Sequence, residues 1–411
     1  MLRNAVLLPS PVAVILAAML FSPFALGAGA EEDPAGRTIA VNPYADVDWD
    51  AFGQYKAALH VHTLQSDGHH ELRDVVQAYH DAGFAILAIT DHDNMEPNVQ
   101  VRAGNVPEED ASPYPMPPLP ENYPANTTWP WRNFGAPAPD DLGIIGVEAA
   151  ELTYRHHMNS FFSDYGAESA DVSEDAQLAA VLETGGLAIL DHPGIDAGWW
   201  ERKPLDWYVE RFETNGPEVL VGMEVTNCPP ERELYDEGLW DQLLARFMPE
   251  RPIWGFGTDD MHDLASVRES HSVFVLGELG EEAVRDAMAN GQFYFRKSTR
   301  RNDLRERRPA DELFPVIEAI DVDEDAGTIT IHASNYDAIR WISAPDSLEA
   351  VEDYETSNQP WPLGSVVHDG AEVSYRETPG VENYLRAELH REEDGETYRA
   401  FTNPFGISSE D

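Results

Sequence analysis

The sequence predicts an α/β barrel of parallel strands that carries a small antiparallel β-sandwich at its C-terminal end. Three observations support this. Apolar runs alternate with helical periods between residues 54 and 262, the runs end repeatedly in histidine or a carboxylate, and from about Pro315 short alternating runs broken by turn residues take over. Strands that finish in metal-type side chains imply a common mouth, and a barrel is the economical way to build one.

Gln54 to Val61 reads as a buried strand whose end carries His60 and His62. Leu72, Val75, Val76 and Tyr79 follow at the i, i+3, i+4, i+7 spacing of one helix face, with Gly83 as the stop. Phe84 to Thr90 is a continuous apolar run, as a parallel strand covered on both faces would be, and it ends at Asp91-His92-Asp93. Leu142 to Val147 ends at Glu148, Ala176 to Glu183 is helical up to Gly185-Gly186, and Leu187 to Leu190 ends at Asp191-His192-Pro193. Val219 to Val225 is a further strand, and Ile253 to Gly257 runs into Asp259-Asp260-Met261-His262.

A proline-crowded insertion, residues 101–141, holds Trp129 and Trp131. A loop of that length inside a compact domain is either a functional lid or a disordered excursion. The β-rich end comprises Val316 to Val322, Thr328 to Ala333, Ala338 to Ile342, Ala371 to Tyr375, Asn383 to Leu389 and Tyr398 to Thr402, without a catalytic constellation. The expected division is a leader at 1–30, the barrel at 31–314 and the sandwich at 315–411.

In the leader, Arg3 precedes the apolar run Val12 to Phe21, and Ala28-Gly29-Ala30 closes it with small residues. This reads as a signal peptide cleaved near Ala30, which makes the protein secreted or periplasmic, with an uncleaved anchor as the alternative; the mature chain has no membrane span. Cys228 is the single cysteine, so no internal disulfide and no lipid-modified cysteine at the cleavage site can form. Against 27 basic residues stand 75 acidic ones, a net charge of −48 that excludes nucleic acid as a partner. Lys56, Lys203 and Lys297 are the only lysines. Such an acidic, halophilic-type surface suits high salt, where screening shortens repulsion to about 3 Å at 1 M.

Eleven of the 14 histidines lie between His60 and His271. His60 and His62, two apart at a strand end, project from one face and can grip one ion. Ser66-Asp67-Gly68 places a carboxylate on a turn, and His92, Glu148, His157, His192, Asp260 and His262 follow at the ends of other elements. Six imidazoles and three carboxylates exceed the four ligands of a structural zinc and indicate more than one metal.

His60-Val61-His62, Ser66-Asp67-Gly68, Thr90-Asp91-His92-Asp93, Gly146-Val147-Glu148, His157-Met158-Asn159, Asp191-His192-Pro193 and Asp260-Met261-His262 resemble the successive motifs of the PHP (polymerase and histidinol phosphatase) superfamily. The likeness runs from about Tyr55 to Thr299, and the β-rich tail ending in Phe401-Thr402-Asn403-Pro404 is similar to the secreted carbaryl-hydrolase-like (CehA/McbA) branch. The resemblance implies a distorted (β/α)7 TIM-like barrel with two or three divalent ions, manganese, zinc or iron. One ion would take His60, His62, Glu148 and Asp260; a second would share Glu148 and take His157 and His192; a third would take Asp67, His92 and His262, with Asp67 where many relatives have histidine. The spacing to Asn159 favours His157 over His156, and the spacing to His262 favours Asp260 over Asp259. Asp91, Asp93 and Asp191 either orient imidazoles or cap strands, and His69, His70, His80 and His271 are left structural or exposed.

Such ligands suit a metal-bridging hydroxide as nucleophile, with no nucleophilic side chain, and no Gly-x-Ser-x-Gly elbow argues otherwise. The superfamily resemblance implies phosphoester cleavage; its secreted branch implies carbamate, aryl ester or amide cleavage. The substrate is a small molecule in either case, and Trp129, Trp131, Trp199, Trp200 and Trp207 either line an aromatic pocket for it or simply pack. Arg155, Arg202 and Arg268 lie near motif ends, where a phosphate could meet them. The rival class is a non-catalytic secreted metal- or carbohydrate-binding protein, which the intact ligand set argues against.

Overall fold

The computed structural model describes residues 36–93, 127–167, 171–194, 203–227, 233–299, 309–346 and 360–409. The expected leader lies outside them, as does most of the insertion. No helix among the described residues is long and apolar enough to cross a membrane.

In chain order the strands are β1 (Arg37–Val41), β2 (Gly53–Ala58), β3 (Ile86–Ala88), β4 (Ile145–Val147), β5 (Ala149–Leu152), β6 (Met158–Phe161), β7 (Leu187–Leu190), β8 (Leu220–Thr226), β9 (Trp254–Gly257), β10 (Ser270–Leu276) and β11 (Phe293–Ser298). The C-terminal strands are β12 (Val316–Asp323), β13 (Thr328–Ser334), β14 (Ala338–Ser343), β15 (Ser365–Asp369), β16 (Glu372–Ser374), β17 (Tyr384–Glu393), β18 (Glu396–Thr402) and β19 (Phe405–Ser409). The expected helices are present at Leu72–Asp81, where Leu72, Val75, Val76 and Tyr79 are all buried, and at Glu174–Glu183, where the Ser173 hydroxyl accepts from the Ala176 amide at 3.3 Å.

The sheet differs from the expected closed barrel. Strands β5-β6-β7-β8-β9 form a five-stranded sheet, parallel from β7 to β9, and β2-β3-β4 form a parallel run within an eleven-stranded sheet. The two are joined at their ends by single bridges, Val61 to Met261 and His92 to Glu151. Between them lies a core of Leu59, Ile86, Val147, Phe161, Ile189, Val221, Phe256 and Phe274, closed by Val284, Ala287 and Met288 of the helix Glu281–Asn290. Strands β3, β7 and β8 are buried along their whole length, which is why β3 and β7 read as unbroken apolar runs and β8 as one interrupted by Glu224.

The C-terminal strands lie in two sheets, one of them shared with the preceding part of the chain. The small sheet β12-β13-β16 packs Ile317, Ile320, Ile329, Ile331 and Val373 against Trp341, Leu385, Leu389, Tyr294 and Val273. The opposing leaf is continuous with the sheet that holds β2, β3 and β4, because β18 pairs with β11, β11 with β10, and β10 with β2. Arg386 of β17 grips Asp241 of the helix Glu233–Phe247 with two hydrogen bonds of 2.8 Å, both residues being buried. Arg399 of β18 reaches Glu237 of the same helix at 2.6 and 2.8 Å.

Two outcomes are expected. Arg386→Ala leaves Asp241 buried without its fork and costs about 3–5 kcal/mol, measurable by chemical denaturation. A chain ending at Arg308 loses the strand that covers β11 and does not give a cooperative melting transition.

Candidate metal centre

The bridge from Val61 to Met261 aligns the end of β2 with the segment after β9, and it sets His60, His62 and Asp260 face to face. The His60 Nε2 and His62 Nε2 atoms are 3.1 Å apart. The Glu151 Oε2 atom lies 3.3 Å from each, and the Asp260 Oδ1 atom lies 3.3 and 3.2 Å from them. Imidazole nitrogens and carboxylate oxygens gathered at such distances are the donors that divalent cations take. The donor set therefore fits a divalent cation.

Glu151 also defines a second position. Its Oε1 atom lies 2.5 Å from His157 Nδ1 and 3.3 Å from His192 Nε2. At a third position the Asp67 Oδ1 atom meets His262 Nε2 at 3.2 Å, His92 Nε2 at 3.4 Å and His62 Nδ1 at 3.5 Å. Gly68 makes this possible: a Cβ there would stand 2.5 Å from the His62 carbonyl carbon and 2.6 Å from the Thr63 amide nitrogen, so any side chain would push Asp67 off the cluster. His192 and Asp260 carry positive φ angles of 27° and 45°. For such residues this conformation costs on the order of 1–3 kcal/mol each, held by the surrounding bonds.

The electrostatics call for a cation. Burial alone would raise the Glu151 carboxyl, yet the imidazoles of His92, His157 and His60 hold it well below the usual carboxylate range. Burial pushes the His157 imidazole down to about 4, against the pull of Glu151. The Glu151 Oε2 atom, fully enclosed, makes no well-formed hydrogen bond, although three ring nitrogens lie within 3.3 Å, that of His92 at 2.9 Å. A carboxylate oxygen and imidazole nitrogens converging without donor geometry suit a shared cation.

Of the sequence-derived candidates, His60, His62, Asp67, His92, His157, His192, Asp260 and His262 come together. Glu148 does not, and this corrects the expectation. It sits at the kink between β4 and β5, half-buried, and accepts from the Thr127 hydroxyl at 3.1 Å; Glu151, three residues on and bridged to His92, occupies the centre instead. The sequence reading does not reach Glu151, because it ends the strand at Glu148 and places no strand over Ala149 to Leu152. Glu224 was missed as well. It is a lone carboxylate in the fully buried β8, and its presence in an apolar run was the available signal.

Asp91 and Asp93 touch no imidazole. Asp91 accepts from the Thr63 amide at 2.7 Å and from the hydroxyls of Thr63, Ser66 and Thr128, so it fastens the loop that carries Asp67. Asp93 accepts from the Thr153 and Ala167 amides at 3.2 and 2.7 Å. Asp191 is fully buried beside His60 and Glu224, and burial together with Glu224 raises its pKa well above the usual value. Asp259 turns away, taking the Ser270 and Arg268 amides and the Tyr79 hydroxyl, and burial pushes it up to about 7.

His156 faces outward from the cluster, stacked on Trp207 with ring centroids 5.0 Å apart, and burial pushes its pKa down to about 3. Trp131 is core, packed with the residues under the helix Leu72–Asp81. Arg155 and Arg268 bond backbone carbonyls away from the cluster, and Trp199, Trp200 and Arg202 lie outside the described residues.

A buried group of histidines and carboxylates at strand ends suits divalent metal, and the PHP-domain match beside it supports a metal-dependent hydrolase. A family model of the PHP domain matches residues 58–138, the stretch that carries His60, His62, Asp67 and His92. No curated protein matches the chain. Among solved structures, a two-domain protein from Bacteroides vulgatus ATCC 8482, described as containing a predicted PHP-like metal-dependent phosphoesterase, is 14% identical, with 89% of this chain and 95% of that one covered at a TM-score of 0.41. A candidate metal-dependent phosphoesterase from Bifidobacterium adolescentis ATCC 15703 is 17% identical, covering 57% of this chain and 96% of its own at a TM-score of 0.34. The lesion-specific endonuclease PfuEndoQ from Pyrococcus furiosus is 11% identical, with 58% and 56% covered at 0.34.

Glu151→Gln and Glu148→Gln separate the two carboxylates. The first is expected to cut cation content by at least one ion per chain in elemental analysis, and the second to leave it at the wild-type level.

Proposed function

We propose that the chain hydrolyses phosphoester bonds of a small molecule with two or three divalent ions, manganese, zinc or iron. The observation that carries this reading is Glu151, whose two carboxylate oxygens face two separate groups of imidazoles. Divalent cations bound there supply Lewis acidity, lowering the pKa of a water towards neutrality and offsetting negative charge on a substrate oxygen. Glu151 sets the distance between the first two positions, and Asp67 draws His92 and His262 into a third beside them.

Exposure gives the direction of approach. The side chains of His60 and His62 are sealed at 0%, whereas that of His262 is 33% exposed and that of Asp260 16%. Substrate therefore enters over His262, and the buried rings of His60 and His62 form the floor. Arg155 and Arg268 are bonded elsewhere, so the bound cations carry the burden of meeting an anionic group. Three neighbouring positions suit phosphate, which offers several oxygens.

Carbamate, aryl ester or amide cleavage on the same centre, as in the secreted carbaryl-hydrolase-like branch, is the second reading. The likeness of the β-rich tail ending in Phe401-Thr402-Asn403-Pro404 to that branch is what supports it. The apolar run Val12 to Phe21 after Arg3 supports a working protein outside the cytoplasm in both readings.

The deciding assay compares an aryl phosphate, an aryl phosphodiester and an aryl carbamate in high salt, with and without chelator. Turnover of a phosphate substrate is expected, lost on chelation, restored by added cation and at least about a thousandfold lower in the His60→Ala, His62→Ala double variant. Turnover of the carbamate alone would establish the second reading. Bound cation with no turnover of any substrate would leave a binding protein.

A further inference from the structure

We propose that Glu224 is a positioning residue that couples the two cation positions flanking Glu151. The inference rests on the metal-centre reading and concerns a side chain outside the ligand set. Glu224 lies in β8 and is fully buried, and four donors fill its two oxygens. The Oε1 atom accepts from His60 Nδ1 at 2.7 Å and from the Thr258 hydroxyl at 2.5 Å. The Oε2 atom accepts from the His192 amide at 2.7 Å and from Asn227 Nδ2 at 2.6 Å.

These donors come from the ends of three other segments as well as from the Glu224 strand itself. His60 follows β2, His192 follows β7, Thr258 follows β9, and Asn227 follows β8. A carboxylate only accepts, so the His60 proton resides on Nδ1 and the Nε2 lone pair faces His62, Glu151 and Asp260. The same carboxylate holds the His192 backbone, whose φ of 27° is one that side chains with a Cβ rarely adopt. Asn227 is braced in turn, since its carbonyl accepts from Lys297 Nζ at 2.7 Å.

One rigid carboxylate thus fixes a ring of the first position through one oxygen and the backbone of a ligand of the second through the other. A cation that orders His60 holds Glu224 in place and with it His192, so the ordering cost of the second position falls once the first is loaded. Linkage makes the effect reciprocal. Glu151 brings the two positions together, and Glu224 supplies a second connection behind the ligands.

The test uses the full chain, stripped of metal and titrated with Co2+, whose visible absorption reports coordination independently of turnover, with a competing chelator to fix both affinities. The wild type is expected to load the two positions with a Hill coefficient above one. Glu224→Gln should weaken both affinities about tenfold or more and bring the Hill coefficient to one, while melting of the metal-free chain stays close to wild type. Thr258→Val, which removes one donor and keeps the carboxylate, should weaken the His60 position by a smaller factor and reduce cooperativity.

Loss confined to one position in Glu224→Gln overturns the proposal. So do affinities within twofold of wild type together with an unchanged Hill coefficient in either variant; if Glu224→Gln fails to fold, Thr258→Val decides alone. A wild-type chain that takes up no Co2+ overturns the metal-centre reading itself.

Discussion

Everything around the mouth of this protein answers to one electrostatic constraint: the Glu151 carboxylate is buried in the middle of the fold and still ionised. A buried carboxylate is costly unless opposite charge or hydrogen bonds compensate it. Here the compensation comes from five imidazoles delivered by four separate strand ends, in an arrangement that a cation would complete. Asp260 and Glu224 are buried close by, so the cluster holds more negative charge than neutral histidines can balance. The parallel strands are apolar along their length so that the charge can be concentrated at their ends.

That concentration requires backbone as well as side-chain precision. Single bridges at Val61 and His92 join two sheets that otherwise run separately, and both bridges adjoin ligands. Asp91 ties down the loop between His62 and Gly68 through the Thr63 and Ser66 hydroxyls and the Thr63 amide, and Gly68 lets that loop lie against the His62 backbone. The positive φ angles of His192 and Asp260 belong to the same arrangement: the local strain is tolerated because the surrounding hydrogen bonds leave no relaxed alternative.

Much of this was legible in the sequence, for identifiable reasons. The strand β7 was delimited to the residue because a fully buried parallel strand reads as a block of apolar residues with polar ends. The helix Leu72–Asp81 was legible because its buried face repeats at helical spacing. Eight of the nine proposed ligands converge because histidine at a strand end is a strong positional signal. Glu148 failed for a local reason: the kink after Val147 starts a new strand, and a carboxylate one turn of pattern later takes the central place. The sharing of a leaf between the two halves was illegible for a different reason. Pairing of Phe295 with Phe401 joins residues more than 100 apart, and no local period encodes it.

That long-range pairing also bears on how the protein comes into being. Strand β1 pairs with β19, and β11 pairs with β18, so the edges of the metal-bearing sheet are completed by residues close to the end of the chain. During synthesis, β2, β3 and β4 can gather, but the sheet they belong to keeps an open edge until β17 to β19 have emerged. Contacts of such sequence separation form late and slowly, and an unpaired edge is prone to improper association while it waits. The ligand cluster is therefore assembled from early residues on a platform finished by later ones, and the centre becomes rigid only once β17 to β19 are available.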